Sequence, residues 1–157
     1  MSDPMTAVEI GADTEFSQAG GGTFGFDPSA PEARPVVAEE PDWSRVELVR
    51  RLACRLSDGG ALVLGAVRPV GATGHGDEVV AAALHAPDGT PVDLVESRLT
   101  TEYDSDGEPR RIGLELLTPE EDEPAMRGAG TRQDSGRFDF ILEGTPGTAV
   151  YELVRPG

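Results

Sequence analysis

Four glycine-containing turns punctuate this chain and decide what it can fold into: Ser57-Asp58-Gly59-Gly60, Pro87-Asp88-Gly89-Thr90, Ser105-Asp106-Gly107-Glu108, and the stretch Glu143–Thr148. Asp-Gly accepts the positive φ values that tight hairpin turns require. Between the turns lie short strand-like segments: ALVLGAVRPV, DEVVAAALHA, PVDLVESRLTTEY, RRIGLELLT, RFDFILEG and TAVYELVRP. In RIGLELL, Ile112, Leu114 and Leu116 alternate with Gly113, Glu115 and Leu117. In TAVYELV, Ala149, Tyr151 and Leu153 alternate with Val150, Glu152 and Val154. Period-two segments joined by such turns predict an antiparallel meander. About eight of them predict an all-β fold, a closed antiparallel up-and-down barrel.

One segment of the body, WSRVELVRRLACRLSDGG from Trp43, supports two readings. As a helix it has a capping box at Ser44 and Glu47, and a hydrophobic staple from Trp43 to Leu48. Val46, Val49, Leu52, Ala53 and Leu56 would then form one face. As a strand it has Val46, Leu48, Leu52, Cys54 and Leu56 on one side, a side that Arg50 breaks. Local signals favour the helix slightly. The Asp-Gly-Gly that leads straight into ALVLGAV favours a hairpin.

Composition divides the chain near residue 41. Residues 1–41 are rich in Gly, Pro, Ala and acid and show no sustained period, so they are expected to form a flexible, disordered tail. Phe24 and Phe26 in GGTFGFDP are the exception, with a groove on the body or on a partner as their natural seat. Residues 42–157 are expected to form the barrel domain.

The chain carries 29 acidic and 13 basic residues, a formal net charge of −16. That charge repels nucleic acid and anionic membrane surfaces, and both are set aside as partners. Cys54 is the single cysteine, so no internal disulfide forms, and the chain has no asparagine to glycosylate. The first residues lack a basic and an apolar region of a signal peptide, and no apolar run approaches a membrane span. A reducing, cytoplasmic location is expected.

The stretch TEYDSDGEPRRIG, residues 101–113, places Glu102, Asp104, Asp106 and Gly107 at positions 1, 3, 5 and 6 of a calcium-binding helix–loop–helix loop. Such a loop needs a bidentate acid at position 12, which here is Gly113, and a helix on each side. Pro109, Arg110 and Arg111 stand where further ligands would be. A hairpin turn with solvated carboxylates is expected, with no metal and no cofactor.

The two histidines, His75 in a glycine loop and His85 at a strand end, have no visible catalytic partner. VGATGHGDE lacks the Gly-Lys-Ser/Thr of a phosphate loop. Glu115 is the more informative acid. If its face pointed into a lumen, desolvation would raise its pKa and make it a proton donor. The competing reading is a solvated carboxylate paired with Arg98 or Arg127. Glu96, Tyr103 and Tyr151 follow as pocket-lining candidates by the same alternation.

DGTPVDLVESRLTTEYDSDGEPRRIGLELL, then PAMRGAG and EGTPGTAVYELVR, resemble the C-terminal half of the carotenoid-hydratase-like two-lipocalin superfamily, in an uncharacterised actinobacterial branch. The likeness covers about residues 43–156 and rests on turn and strand motifs. It implies a lipocalin-like barrel with an apolar lumen, and it favours the hairpin reading of residues 45–67. Some relatives hydrate or cyclise terpenoid or polyene substrates with a buried acid. Here the N-terminal barrel is replaced by the acidic tail, so a homodimer or a partner protein would supply the missing half.

The leading expectation is binding of a lipophilic small molecule in the lumen, with Glu96, Leu117, Tyr151, Trp43 and His85 as binding residues. The enzyme alternative is a cofactor-free acid–base cyclase, isomerase or hydratase in specialised metabolism, with Glu115 as proton donor and Tyr103 or Arg98 orienting the substrate. A third reading is an interaction module whose barrel is filled by its own side chains and whose acidic tail docks on a partner.

Overall fold

The structure, a computed structural model, describes residues 8–27, 33–72, 77–119, 126–134 and 136–156. Its main body is one antiparallel sheet of nine strands: β4 (Val46–Leu56), β5 (Ala61–Pro69), β6 (Val79–His85), β7 (Pro91–Val92), β8 (Glu96–Tyr103), β9 (Pro109–Leu117), β10 (Met126–Asp134), β11 (Arg137–Leu142) and β12 (Thr145–Val154). The spatial order is β7-β6-β5-β4-β12-β11-β10-β9-β8. Consecutive strands pair as hairpins except β7 and β8, and β12 returns to pair with β4 from Gly147↔Leu56 to Val154↔Val49. The hairpins follow the repeated turns, and the sheet curls into a half-barrel rather than a closed barrel. No helix among the described residues is long and apolar enough to cross a membrane.

Strand count explains why the curl does not zip shut. In an antiparallel order of nine, the first and last strands run the same way. Pairing β7 with β8 would make a parallel ladder, which needs a long crossover, and only residues 93–95 connect them. β6 and β8 run antiparallel and approach within 8 Å between Cα atoms, but no ladder joins them. Eight strands thus form a near-cycle, with β7 as a short excursion at the seam.

The segment at 45–57 is strand β4, not a helix. Local helix signals lose because β4 gains ladders on both sides, to β5 and β12, and buries both faces. A register shift between Val46 and Leu48 moves Val46 to the outer face. Leu48, Arg50, Leu52, Cys54 and Leu56 then point inward.

The turns follow the logic that predicted them. Asp58 Oδ1 accepts the Gly60 N–H at 2.9 Å, and Asp88 Oδ1 accepts the Thr90 N–H at 2.9 Å. In the 101–113 stretch, Asp104 Oδ1 accepts the N–H groups of Asp106 and Glu108 at 2.9 and 3.1 Å, so this stretch is a hairpin turn. These bonds, led by that from Glu108, and the Arg132 guanidinium hold Asp104 below the usual carboxylate range. Glu143 and Gly144 both take positive φ, 47° and 83°, in a two-residue turn. The non-glycine member is held by hydrogen bonds in both directions to the Arg127 backbone.

Two apolar clusters flank β4–β5. Inside the curl, Leu52, Cys54, Leu62 and Leu64 meet Ile112, Leu114, Leu116, Phe138, Phe140 and Leu142. Outside, Val49, Ala53, Val63 and Val67 are covered by the N-terminal segment. That cover is a three-stranded sheet of β1 (Val8–Ile10), β2 (Thr23–Phe26) and β3 (Pro35–Glu39), with a helical turn at Ser17–Gly21. The expectation of a structureless tail is therefore corrected over residues 8–27 and 33–41. Five large apolar side chains reverse what composition implies: Val8, Ile10, Phe16, Phe24 and Phe26 are 0–2% exposed. A Cβ at Gly65 would stand 2.7 Å from the Phe16 ring and 2.9 Å from that of Phe24, so this glycine forms the slot that both rings enter.

Candidate functional site

The strand directions place one end of the curl apart from the rest. Inward positions at the start of β4, the end of β5, the residue before β6, and the ends of β8, β10 and β12 converge there. They bring Arg50, Arg68, Glu78, Thr101, Arg132 and Tyr151 together below the leucine core.

Glu78 is the hub. Its carboxylate bonds the Arg50 Nη2 and accepts from Arg68 Nη2 at 2.8 Å and Arg68 Nε at 3.2 Å. The side chains of Arg50 and Glu78 are each only 2% exposed. Arg50 Nη1 donates to Thr101 Oγ1 at 3.0 Å and to the Tyr151 hydroxyl at 3.4 Å, and Thr101 and Tyr151 share a 2.8 Å bond. Burial by itself pulls the Arg50 pKa down, but Tyr151 and Glu78 outweigh it, and the net shift is upward. Burial raises the Tyr151 phenol, with Arg50 and Thr101 opposing. This network joins β4, β5 and the start of β6 to β8 and β12, so it clips the seam that the ladders leave open.

Beside the network lies a recess of about 230 Å³. The β8–β9 turn, through Gly107, Glu108 and Pro109, forms one wall. Phe138, Tyr151 and Leu153 supply its apolar surface, and Arg132 and Arg155 its cations. Arg132 is itself held by Asp104 Oδ2 at 2.9 Å and the Pro109 carbonyl at 3.2 Å. Larger recesses lie elsewhere: two of about 380 and 670 Å³ beside the N-terminal sheet, and two of about 280 and 410 Å³ on β8–β10, the last lined by Arg98, Glu115 and Arg127; none of these is lined by a residue of the buried network.

The interior itself is filled. Its centre is closely packed, with Leu52, Leu62, Leu64 and Leu116 at 0% exposed, while Val80, Ala82, Val92, Leu94, Met126 and Leu153 around it are partly buried. Cys54 sits in this interior, and burial pushes its thiol up to about 12.

The residues expected from sequence separate into two faces. Glu115 lies on the outer face, 3.9 Å from both Arg98 and Arg127, opposite Ile112, Leu114 and Leu116. This is the solvated, arginine-paired arrangement and not the lumenal acid, because the larger apolar residues of β9 take the inner side. Arg98 also holds Glu96 at 3.0 Å, and both are exposed. Leu117 pairs with Glu96 in register and so takes the face opposite Leu116, where it is nonetheless buried. Trp43 packs with the outer cluster, and His85 ends β6 half-buried. Tyr103 ends β8 at the polar end, 37% exposed, within electrostatic reach of Tyr151 and away from Glu115 and Arg98 along the strand. Of the named residues only Tyr151 belongs to the buried network. His75 lies outside the described residues. Among the described residues no group of three His, Cys, Asp or Glu side chains is placed to hold a metal.

Sequence reasoning missed Arg50, Arg68, Glu78 and Thr101. One signal for them was present: Arg50 interrupts an otherwise apolar inward row. No protein-family model matches the chain, and no curated protein matches it.

Proposed function

We propose that this chain is a binding module for a small lipophilic molecule bearing a polar head, taken at the polar end of the half-barrel and not within an enclosed lumen. The observation that carries the reading is the recess in which Phe138, Leu153 and the Tyr151 ring face Arg132 and Arg155. The lining is more polar than apolar: Arg132 and Arg155 would take the polar head, and the edges of Phe138, Tyr151 and Leu153 give a smaller apolar contact. The buried bonds of Tyr151 to Thr101 and Arg50 fix the position of its ring and hydroxyl, so the floor is rigid before a ligand arrives. At about 230 Å³ the recess takes a compact molecule or the head of a longer one. The kinship with the two-lipocalin superfamily, read from the turn and strand motifs, is part of the same proposal. A curled antiparallel half-barrel agrees with it.

The test is a fluorescence titration of the full chain with 1-aminoanthracene, a neutral lipophilic probe that a net charge of −16 does not repel. The expected result is saturable binding of one probe per chain. Leu153→Trp, which fills the recess, is expected to weaken it at least tenfold. Ile141→Ser, at an exposed residue of the outer face, should leave it unchanged. Binding that ignores Leu153→Trp, or no saturable binding at all, overturns the proposal.

A further inference from the structure

The outer face of β4–β5 differs from an ordinary interior. Arg51 projects from it, is 4% exposed, and has Nε and Nη2 without hydrogen-bond partners among the described residues. Its Cζ lies 5.8 Å from the centre of the Phe24 ring. Four positions along the same strand face, Arg55 Cζ lies 5.2 Å from the centre of the Phe26 ring. The Gly65 slot receives Phe16 and Phe24. The face therefore offers two guanidinium groups and a phenyl slot in a row. Its cover matches in charge: residues 8–27 and 33–41 contain Glu9, Asp13, Glu15, Asp27, Glu39 and Glu40 against the single base Arg34.

The Phe24 ring and the nearby charges of Glu152 and Glu40 stabilise this buried guanidinium, but they leave Nε and Nη2 without a hydrogen bond. Unmade hydrogen bonds at a buried charge are costly, and an apolar side chain at position 51 would pack there without that cost. The cost disappears when the face meets a carboxylate at hydrogen-bond distance. We propose that the outer face of β4–β5 is a docking surface for an acidic, phenylalanine-bearing segment of a partner protein, and that residues 8–27 and 33–39 occupy it as an internal substitute. Displacement is local, because the N-terminal sheet shares no ladder with the barrel sheet. Its attachments include the Asp42 N–H to the Gly20 carbonyl at 2.8 Å, Arg45 Nη2 to the Gln18 carbonyl at 2.8 Å, and Arg34 to Glu152 at 4.0 Å.

Two measurements on the full chain test this. In hydrogen exchange followed by mass spectrometry, the amides of β1–β3 are expected to exchange at least tenfold faster than those of β4, β5 and β12, as a separately opening unit. Exchange of both sheets at one common rate overturns displacement. The second measurement is fluorescence anisotropy with a fluorescein-labelled peptide of sequence EFSQAGGGTFGFD, residues 15–27, as the acidic aromatic probe. Phe24→Ala, which weakens the internal occupant, is expected to raise peptide affinity about tenfold over the unchanged chain. Adding Arg51→Leu to Phe24→Ala should abolish that gain, and Arg51→Lys should restore part of it. A gain that survives Arg51→Leu, or a peptide that binds no variant, overturns the assignment. Should Phe24→Ala not fold, the exchange measurement on the unchanged chain still decides.

Discussion

The inner face of β4–β5 meets leucines and phenylalanines that belong to the same continuous sheet. The outer face meets a separate, three-stranded sheet that carries its own backbone ladders. Both faces are buried to a similar degree, yet their physics differs. Inside, removing a contact disturbs strands that are all hydrogen-bonded to one another, so the disturbance is shared by the whole curl. Outside, the apolar contacts join two hydrogen-bonded units, and each can in principle keep its ladders when the contacts open. Burial alone does not separate these two situations; the path of the ladders does.

The sharpest way to probe the inner side is Glu78→Ala. It leaves Arg50 buried beside Tyr151 and Thr101 without its carboxylate, and loss of one partner of a buried pair costs about 3–5 kcal/mol. The measurement is urea unfolding, with the whole transition expected to move to lower urea. A shift no larger than that of an exposed-residue control would show that the network does not clip the seam. Next comes Leu64→Ala, expected to cost about 2–5 kcal/mol in the same assay. Phe16→Ala removes a larger side chain from the outer face but should cost the barrel less than Leu64→Ala, because its effect stops at the N-terminal sheet. An equal or larger loss would merge the two faces into one cooperative unit. The smallest effect is chemical. Cys54 points into the filled interior, and burial holds its thiol up to about 12, so it should resist a thiol reagent in native buffer and react only on unfolding. Rapid native labelling would mean that the interior admits solvent.

Much of the barrel was legible because turn chemistry and period-two alternation act locally. The Asp-Gly pairs and the RIGLELL and TAVYELV patterns identify strands without knowledge of their partners. The strand identity of residues 46–56 was not decidable locally, because the deciding bonds come from β12, about a hundred positions away. The N-terminal sheet was hidden for a related reason. Its glycines and prolines report flexibility, while its order comes from two phenyl rings, Phe16 and Phe24, meeting a slot at Gly65. The site was least legible. Alternation correctly divides β9 into two faces but does not say which one is inside, and Glu115 falls on the outside. Arg50 was visible only as an irregularity. Its partner Glu78 lies in sequence beyond β5, next to a glycine loop, where no motif marks it.

The return of β12 to β4 has a further consequence, for the order of events as the chain folds. β4 finds β5 at once across a short turn, but its other edge has no ladder partner until β12 arrives, about a hundred positions later. Closing so distant a pair is entropically slow, and sheets dominated by such pairings fold over milliseconds to seconds. Throughout that interval the chain presents an open strand edge and a row of leucines to its neighbours, the conditions under which nascent sheets associate wrongly. A net charge of −16 acts in the same interval by holding like chains apart. The acidity that says little about the native structure thus protects the slowest step by which that structure is reached.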